Sequence, residues 1–495
     1  MNFKMIRKKI TSRASNYSQW YLDIVETAQL AQNSVVRECM TICPNGYAIW
    51  ENIHDILDKK IKNTGHQNLY FPIFIPKSLL SKESQHVKGF AKECAVVTHY
   101  RLVENESGNG VMVNKNAKLE DELIIRPTSE TIMYETFKNW VSSFRDLPLL
   151  FNQWNNVVRW EKRTRPFIRT SEFLWQEGHT AHITELEAQG EIFKMLEIYK
   201  ELIEQVLAIP VVTGTKSESE KFAGAKSTYT LEALMQDGKA LQSGTLHNLG
   251  QNFSKAFDIK FTNKQGKLDY VWQTSWVVST RLIGALIMTH GDDKGLVLPP
   301  HIAPIQIIII PIYKEENKNE VLDYCNKLTY LMGVSDLRVE CDVREHESPG
   351  SKFNRWEQRG IPIRIEIGMS EIERKQVSIN RRDTGEKSFE NMENIVQTIK
   401  ILLEDVQTNL FNQASTRLHE NTSEVINYSE FKNTFLTKKG FVKAFWCEDL
   451  KCEEMIKKET KATTRCLPID SKKLIGKCIY CGYQCVHKWI FAQSY

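Results

Sequence analysis

The sequence has no apolar run long enough for a membrane helix. Stretches such as Ile307-Ile308-Ile309-Ile310 are four residues long, against the ~20 that a helical span needs. It has no excess of one charge: 65 Lys and Arg stand against 61 Asp and Glu, a net of +4. That permits a nucleic-acid partner on a local basic surface without requiring one. There is no internal repeat and no low-complexity tract. With 41% hydrophobic and 25% charged residues, the composition excludes a disordered chain, a collagen-like fibre and a coiled coil. The 495 residues allow about three domains at roughly 150 residues each. The basic start Met1-Asn2-Phe3-Lys4-Met5-Ile6-Arg7-Lys8-Lys9 lacks the ~7–15 apolar residues of a secretory signal. No acidic residue precedes Asp23, so composition alone leaves an organellar presequence open.

Eleven cysteines are present, unevenly placed. Cys39, Cys43, Cys94, Cys325 and Cys341 are scattered, whereas Cys447, Cys452, Cys466, Cys478, Cys481 and Cys485 crowd the last tenth. Without a secretory signal this cluster reads as a metal site before a disulfide framework. Cys447-x4-Cys452, then 25 residues, then Cys478-x2-Cys481 is a spacing for tetrahedral Zn²⁺. Four protein ligands leave no open position, so the role expected is structural. Cys466 and Cys485 are spare candidates. A redox C-x-x-C is the competing reading, but no strand-turn-helix context supports it.

The periodicity predicts helix over 17–65 and a short strand within Gln67–Pro76 ended by prolines. Strands are predicted at Leu123–Ile125, Trp154–Trp160 and Phe173–Trp175, the last two as a hairpin around a basic loop. Helices are predicted at Leu186–Leu207 and Trp276–Met288. A linker at Leu298-Pro299-Pro300-His301 precedes an alternating pattern. Strands Ile305–Pro311, Arg338–Asp342 and Ile363–Ile367 alternate with helices Asn319–Leu331, Ser351–Gln358 and Asn391–Leu410, which implies an α/β domain with a mixed or parallel sheet. The polar stretch Asn412–Ser423 reads as a second boundary. The domains expected are therefore 1–300, 301–410 and 411–495.

The densest chemistry lies between Arg126 and His182. Arg126-Pro127-Thr128-Ser129-Glu130 follows a strand directly. Arg159-Trp160-Glu161 puts an arginine and a glutamate on one strand face, where one clamps a phosphate while the other accepts from an amine. A charged hairpin with ordinary surface pairs is the bland alternative.

These strings resemble the class II aminoacyl-tRNA synthetases. Arg159-Trp160-Glu161, the basic loop and Phe173 to Glu177 resemble motif 2. Gly46-Tyr47 and Trp50, followed by Gln67-Asn68-Leu69-Tyr70-Phe71-Pro72, resemble the dimer-interface motif 1. Ser275–Gly284, with Arg281, resembles motif 3. Arg126–Glu130, Phe173–His179, Thr245–Phe253 and Phe353–Ile365 are similar to prolyl-tRNA synthetases of the archaeal/eukaryotic type, from Tyr17-Ser18-Gln19-Trp20 to Ser494-Tyr495. The H-I-G-H and K-M-S-K-S signatures of class I are missing.

The resemblance implies an α+β catalytic domain with an antiparallel sheet, an α/β anticodon-binding domain and a small zinc-bound α+β C-terminal domain. It implies ATP-dependent ligation of L-proline to tRNA(Pro) through a prolyl-adenylate. Arg159 and Arg281 are the implied catalytic residues. The implied ATP contacts are Arg159, Glu161, Arg169, Thr170, Gln242, Thr245, Ser279 and Arg281, with Gln242 close to Mg²⁺. Proline recognition falls to Thr128, Glu130, Arg159, Trp175, Glu177, His179 and His247. That set suits a secondary ammonium, which wants a carboxylate and a hydroxyl, and a small ring, which wants an aromatic wall. For Gln242 and Thr245 a polar loop between strands is the bland alternative. His179-x-x-His182 also has metal-pair spacing, but no further ligands stand nearby.

Arg344, Lys352, Trp356, Arg364 and Glu366 are implied anticodon contacts, where splayed bases stack on aromatics and are read along their edges. Cys447, Cys452, Cys478 and Cys481 are the implied Zn²⁺ ligands. Tyr495 is implied to return toward the catalytic domain. Leu246 and Asn248 depart from the family pattern beside His247, which bears on the fine shape of the proline pocket. Roughly 90 residues separate motifs 2 and 3, less than one typical domain, so an editing insertion has no room there. The cytoplasm is expected, since only Met1–Asn16 precede the resemblance, and a homodimer is implied by motif 1 alone. The alternatives are a non-catalytic relative, which would not need Arg159, Glu161 and Arg281; a threonyl enzyme, which would need a cysteine and histidines as pocket ligands; and a zinc-containing nucleic-acid binder.

Overall fold

Eleven strands form one continuous sheet in this computed structural model, which describes residues 9–81, 94–105 and 107–495. The basic start Met1–Arg7 lies outside the described residues. The middle of the sheet runs Val211–Thr215, Ser227–Leu234, Ala240–Gly250, Trp272–Ser279, Glu172–His182 and Leu149–Val158, all antiparallel. The short strand Gln67–Asn68 adds to the outer edge in parallel.

Sequence alternation builds this sheet. Along Glu172–His182, Phe173, Trp175, Glu177 and His179 share one face and Leu174, Gln176, Gly178 and Thr180 the other. The second face packs closely: a Cβ on Gly178 would lie 2.1 Å from the Trp276 ring. Helix Glu185–Glu201 covers that face. Thr184 and Glu187 close its first turn as a capping box. Ala188, Ile192, Met195, Leu196 and Tyr199 are buried at helical spacing, and the last four join the main core.

The second unit is a five-stranded mixed sheet in the order Val339–Cys341, Ile307–Pro311, Ile363–Ile367, Gln376–Arg381, Lys387–Asn391. Its first two pairings are parallel and the rest antiparallel. Ile307–Pro311 sits between two strands and is buried throughout, which is why it reads as an unbroken apolar run.

The C-terminal strands do not form a sheet of their own. Thr422–Glu424, Phe441–Phe445, Lys488–Ala492 and Thr463–Pro468 extend the central sheet, joining it through Gly214↔Pro468 and Thr215↔Leu467. A Cβ on Gly214 would lie 2.5 Å from the Leu467 carbonyl oxygen, so glycine permits this junction.

Five expectations need correction. The strand Leu149–Val158 ends before Arg159-Trp160-Glu161, so Arg159 and Glu161 do not share a strand face. The helical reading of 17–65 is broken: helices Tyr17–Thr27 and Pro44–Lys62 flank a hairpin of Ala31–Asn33 and Met40–Ile42. Trp276–Met288 is not all helix, because the strand runs to Ser279 and the helix is Arg281–His290. Within Gln67–Pro76 only Gln67–Asn68 and Phe74–Pro76 are strands. The stretch Asn412–Ser423 continues helix Ile395–Glu420, whose later turns keep Leu410 and Ala414 buried.

Candidate active site

The cavity opens on the face of the central sheet that carries Trp175, Glu177 and His179, and encloses roughly 230 Å³. Thr128, Glu130, Arg159, Trp175, Glu177 and His179 line it. So do Gln242, Thr245, His247, Ser279 and Arg281. These groups come from five separated segments, and the sheet register brings them together. His247 and His179 both pair with Ser275, one from each side.

Glu177 is buried and richly bonded. It accepts from Gln153 Nε2 at 2.9 Å, Asn155 Nδ2 at 2.7 Å and the Ser129 hydroxyl. His179 Nε2 lies 3.1 Å away. Burial alone would raise the Glu177 carboxyl, but the hydrogen bond and charge of His179, with Ser129 and Asn155, hold it below its ordinary value. Burial pulls the other way on His179, and Glu177 more than offsets it, so the imidazole is raised. Glu130 opens the helix Glu130–Trp140 and accepts from the Thr128 hydroxyl. This end of the cavity therefore gathers two carboxylates, a hydroxyl and aromatic walls.

His247 is a different kind of histidine. Burial, then the charges of His179 and Arg159, push it down to about 3, so it is neutral at ordinary pH. It stacks on Phe222 at 4.3 Å and meets the Thr228 hydroxyl at 3.0 Å.

The other end is cationic. Arg159 donates to the Pro127 carbonyl at 3.0 Å and lies over the Trp175 ring at 5.4 Å. Arg281 donates to the Ile168 carbonyl at 3.2 Å. Burial, then the repulsion of Arg159 and Arg169, lowers its pKa to about 10. Half-buried guanidinium groups clustered in one cavity wall mark a place for an anion.

Glu161, Arg169 and Thr170 stand apart from the cavity lining. Arg169 Nε lies 3.8 Å from Glu161 Oε1 on the basic loop. The Thr170 hydroxyl donates to the Glu172 carbonyl at 2.7 Å. Arg126, central to the sequence string, is wholly buried and braces the site, donating to the carbonyls of Asn156 and Phe71 at 2.8 Å each. His182 falls outside the lining and pairs with the Thr180 hydroxyl at 2.7 Å, not with His179. Lys216, Glu220 and Phe222 also line the cavity. No motif announces them, because they sit on a loop whose neighbours are distant in sequence.

A second cavity, of roughly 370 Å³, lies on the mixed-sheet unit, with Phe353, Trp356 and Arg364 in its wall. Arg364 lies 4.3 Å over the Phe353 ring and 3.0 Å from Glu366. Trp356 Nε1 donates to Asp342 at 2.8 Å, and Arg344 Nε donates to the same carboxylate at 2.8 Å. Lys352 differs from its expected role as an exposed contact. It is buried and donates to the Asp342 carbonyl at 2.8 Å.

The Sγ atoms of Cys447, Cys452, Cys478 and Cys481 all lie within 4.8 Å of one another. Cys447 is 3.6 Å from Cys452 and 3.7 Å from Cys481. Zn–S bonds of about 2.3 Å in a tetrahedron put sulfurs about 3.8 Å apart, so the set fits Zn²⁺. Cys466 is buried against Gly214, away from this set. Tyr495 returns to the catalytic unit: Lys239 Nζ lies 4.7 Å over its ring, and the Gln493 carbonyl accepts from Ala240 N at 2.8 Å.

Comparisons with known proteins agree with this layout. Residues 113–290 match the family model of the class II tRNA synthetase core domain (G, H, P, S and T). Residues 306–402 match an anticodon-binding domain and 428–495 a prolyl-tRNA synthetase C-terminal domain. The chain is 53% identical to a proline–tRNA ligase of Amoebophilus asiaticus, covering 99% of this chain and 100% of that protein. It is equally 53% identical to one from Porphyromonas gingivalis, covering 99% of each.

Proposed function

The chain belongs to the proline–tRNA ligases of class II, and we propose that the cavity on its central sheet is where proline and ATP are joined. The protein uses ATP to attach proline to tRNA(Pro). The proline carboxylate attacks the α-phosphate, pyrophosphate leaves, and the prolyl group passes from the adenylate to the tRNA with release of AMP. No side-chain nucleophile is required; positioning and charge stabilisation suffice.

Glu130, Glu177 and Thr128 receive the secondary ammonium, while Trp175 and the neutral His247 wall the ring. Arg159, at the junction of the two ends, holds the carboxylate and the α-phosphate together. Arg281 clamps the far phosphates, beside Ser279 and Thr245. The Gln242 amide would hold Mg²⁺, a hard cation that keeps waters and bridges substrate oxygens. Glu161, Arg169 and Thr170 engage ATP from the loop. The observation that carries this reading is the single cavity shared by a buried carboxylate pair and two arginines.

The cysteine set would hold a structural Zn²⁺, which supplies bracing and no reaction step. Trp356, Arg364 and Glu366, with Arg344, form the proposed anticodon contact; Lys352 supports it from inside. The working division is catalytic 1–300, anticodon-binding 301–410 and C-terminal 411–495, with helix Ile395–Glu420 bridging the last two. Exposed Tyr70 and Phe74 beside Gln67–Asn68 support a homodimer through this edge. Catalysis is assigned to the cytoplasm, where charged tRNA is consumed. No helix among the described residues is long and apolar enough to cross a membrane.

The test is calorimetric titration with the non-reactive adenylate mimic prolyl-sulfamoyl-adenosine. Tight binding, weakened by Arg159→Ala and by Arg281→Ala, supports the assignment. Equal binding of an alanyl mimic would overturn the proline roles.

A further inference from the structure

A buried charge cluster lies under the ATP end of the cavity, and one of its members comes from the C-terminal domain. Glu232 is wholly buried on the strand Ser227–Leu234, directly opposite Gln242. Its carboxylate accepts from Lys216 Nζ at 2.8 Å and the Thr230 hydroxyl at 2.8 Å. From the far side Arg465 grips the other oxygen, through Nη2 at 2.8 Å and Nε at 3.1 Å. Arg465 and Lys216 are both buried too. Burial would raise Glu232, yet Arg465 and then Lys216 hold it down to about 2. Glu232 raises and Arg465 lowers the pKa of Arg281, which puts the cluster within electrostatic reach of the phosphate clamp.

Lys216 begins a loop that walls the cavity with Lys216, Glu220 and Phe222. That loop is tied to the same C-terminal domain a second time. Glu453 accepts from Ser217 Oγ at 3.1 Å and from the Ser219 hydroxyl, and Ser217 also meets Thr464 Oγ1 at 2.9 Å. Phe222 N donates to Thr228 Oγ1 at 3.0 Å, the hydroxyl that also meets His247.

One carboxylate shared by two cations leaves the cluster with a net positive charge. Lys216 already meets one oxygen of Glu232 while Arg465 holds the other; without Arg465 the two would form a neutral pair, and the carboxylate, released on that side, would be free to turn and carry the ammonium with it. Pre-set positive charge is what a departing pyrophosphate needs, and it costs no reorganisation when the charge develops. We propose that Arg465 is a positioning residue for adenylate formation: through Glu232 it fixes the Lys216 ammonium toward the phosphates, making the C-terminal domain part of the ATP site. This rests on the assignment of the cavity to ATP and proline.

The experiment is proline-dependent ATP–pyrophosphate exchange by the full-length protein and its Arg465→Met, Arg465→Lys and Lys216→Met variants, singly and with the two methionine changes combined. Arg465→Met should raise the KM for ATP about tenfold while the KM for proline stays within about twofold. Arg465→Lys should recover most of the loss, and the combined variant should be no worse than Lys216→Met alone, since both remove one coupled unit. An unaltered KM for ATP in Arg465→Met, or losses that multiply in the combined variant, would overturn the inference. If Arg465→Met fails to fold, Lys216→Met decides: a wild-type KM for ATP there overturns it, and a tenfold rise sustains it. Absence of exchange by the unsubstituted protein would instead overturn the underlying assignment, and this inference with it.

Discussion

His179 Nε2 lies 3.1 Å from Glu177 Oε2, two positions along one strand, and each buried side chain offsets the burial of the other. The pair is the electrostatic floor under the proposed ammonium site. Glu177→Gln keeps the shape and removes the charge. Proline-dependent exchange should fall by at least about a hundredfold. Stability should fall by only about 1–3 kcal/mol, because His179 escapes the penalty by losing its proton. Urea titration and exchange kinetics check both.

Acid should destabilise the fold through its neutral histidines. Burial holds His182 down to about 4, His247 to about 3 and His290 to about 4. The unfolded chain takes up these protons near pH 6.5, well before the native state does. Stability from these groups is therefore full above about pH 6.5 and falls as pH drops toward 4. Glu232 adds a loss at lower pH, between its ordinary value and about 2. His179 has the opposite sign: its raised pKa stabilises at low pH, and that contribution fades as pH rises through the raised value. Thermal melts across pH 4–8 should show the acid limb, and His290→Gln, away from the cavity, should flatten it.

Arg159 meets both rings and a backbone carbonyl through one planar group. Arg159→Lys keeps the charge and loses the fork. The kcat for exchange should fall about a hundredfold. Retention of wild-type rates would remove Arg159 from the reaction.

The cysteine set fits Zn²⁺, and zinc held there would brace the C-terminal domain. Cys478→Ser should abolish stoichiometric zinc by elemental analysis and lower the melting temperature. Cys452 is followed directly by Glu453, which holds the cavity loop. Chelation should therefore also raise protease sensitivity near Ser217–Phe222. An unchanged melt after complete zinc removal would contradict this.

Much of the site came from the family resemblance, which implied its residues, and the two-residue period of the strands explains why they share a face. Trp175, Glu177 and His179 follow one another on one face, and His247 follows Thr245 on the neighbouring strand. The cysteine pairs were legible from spacing alone. What escaped is non-local. The loop that carries Lys216, Glu220 and Phe222 is tied down by Glu453, which bonds Ser217 and Ser219, and by Arg465, which shares Glu232 with Lys216, both more than two hundred positions away in the chain. The hairpin inside 17–65 escaped because its apolar residues fit a helical pattern, while the backbone turns through left-handed conformations at Gln29 (φ 55°) and Glu38 (φ 66°). Trp276–Ser279 was read as helix because it is apolar like the turns after it. Pairing with Glu172–His182 and Ala240–Gly250 makes it a strand. Helix Ile395–Glu420 outran its expected end because a few apolar contacts suffice to seat its polar later turns.

The most direct measurement is ATP–pyrophosphate exchange with each standard amino acid separately, without tRNA. The account predicts exchange driven by proline above all others. Exchange driven by another amino acid would contradict the proline pocket, with Leu246 and Asn248 the first positions to revisit. No exchange from a folded, zinc-replete protein would contradict the active site itself.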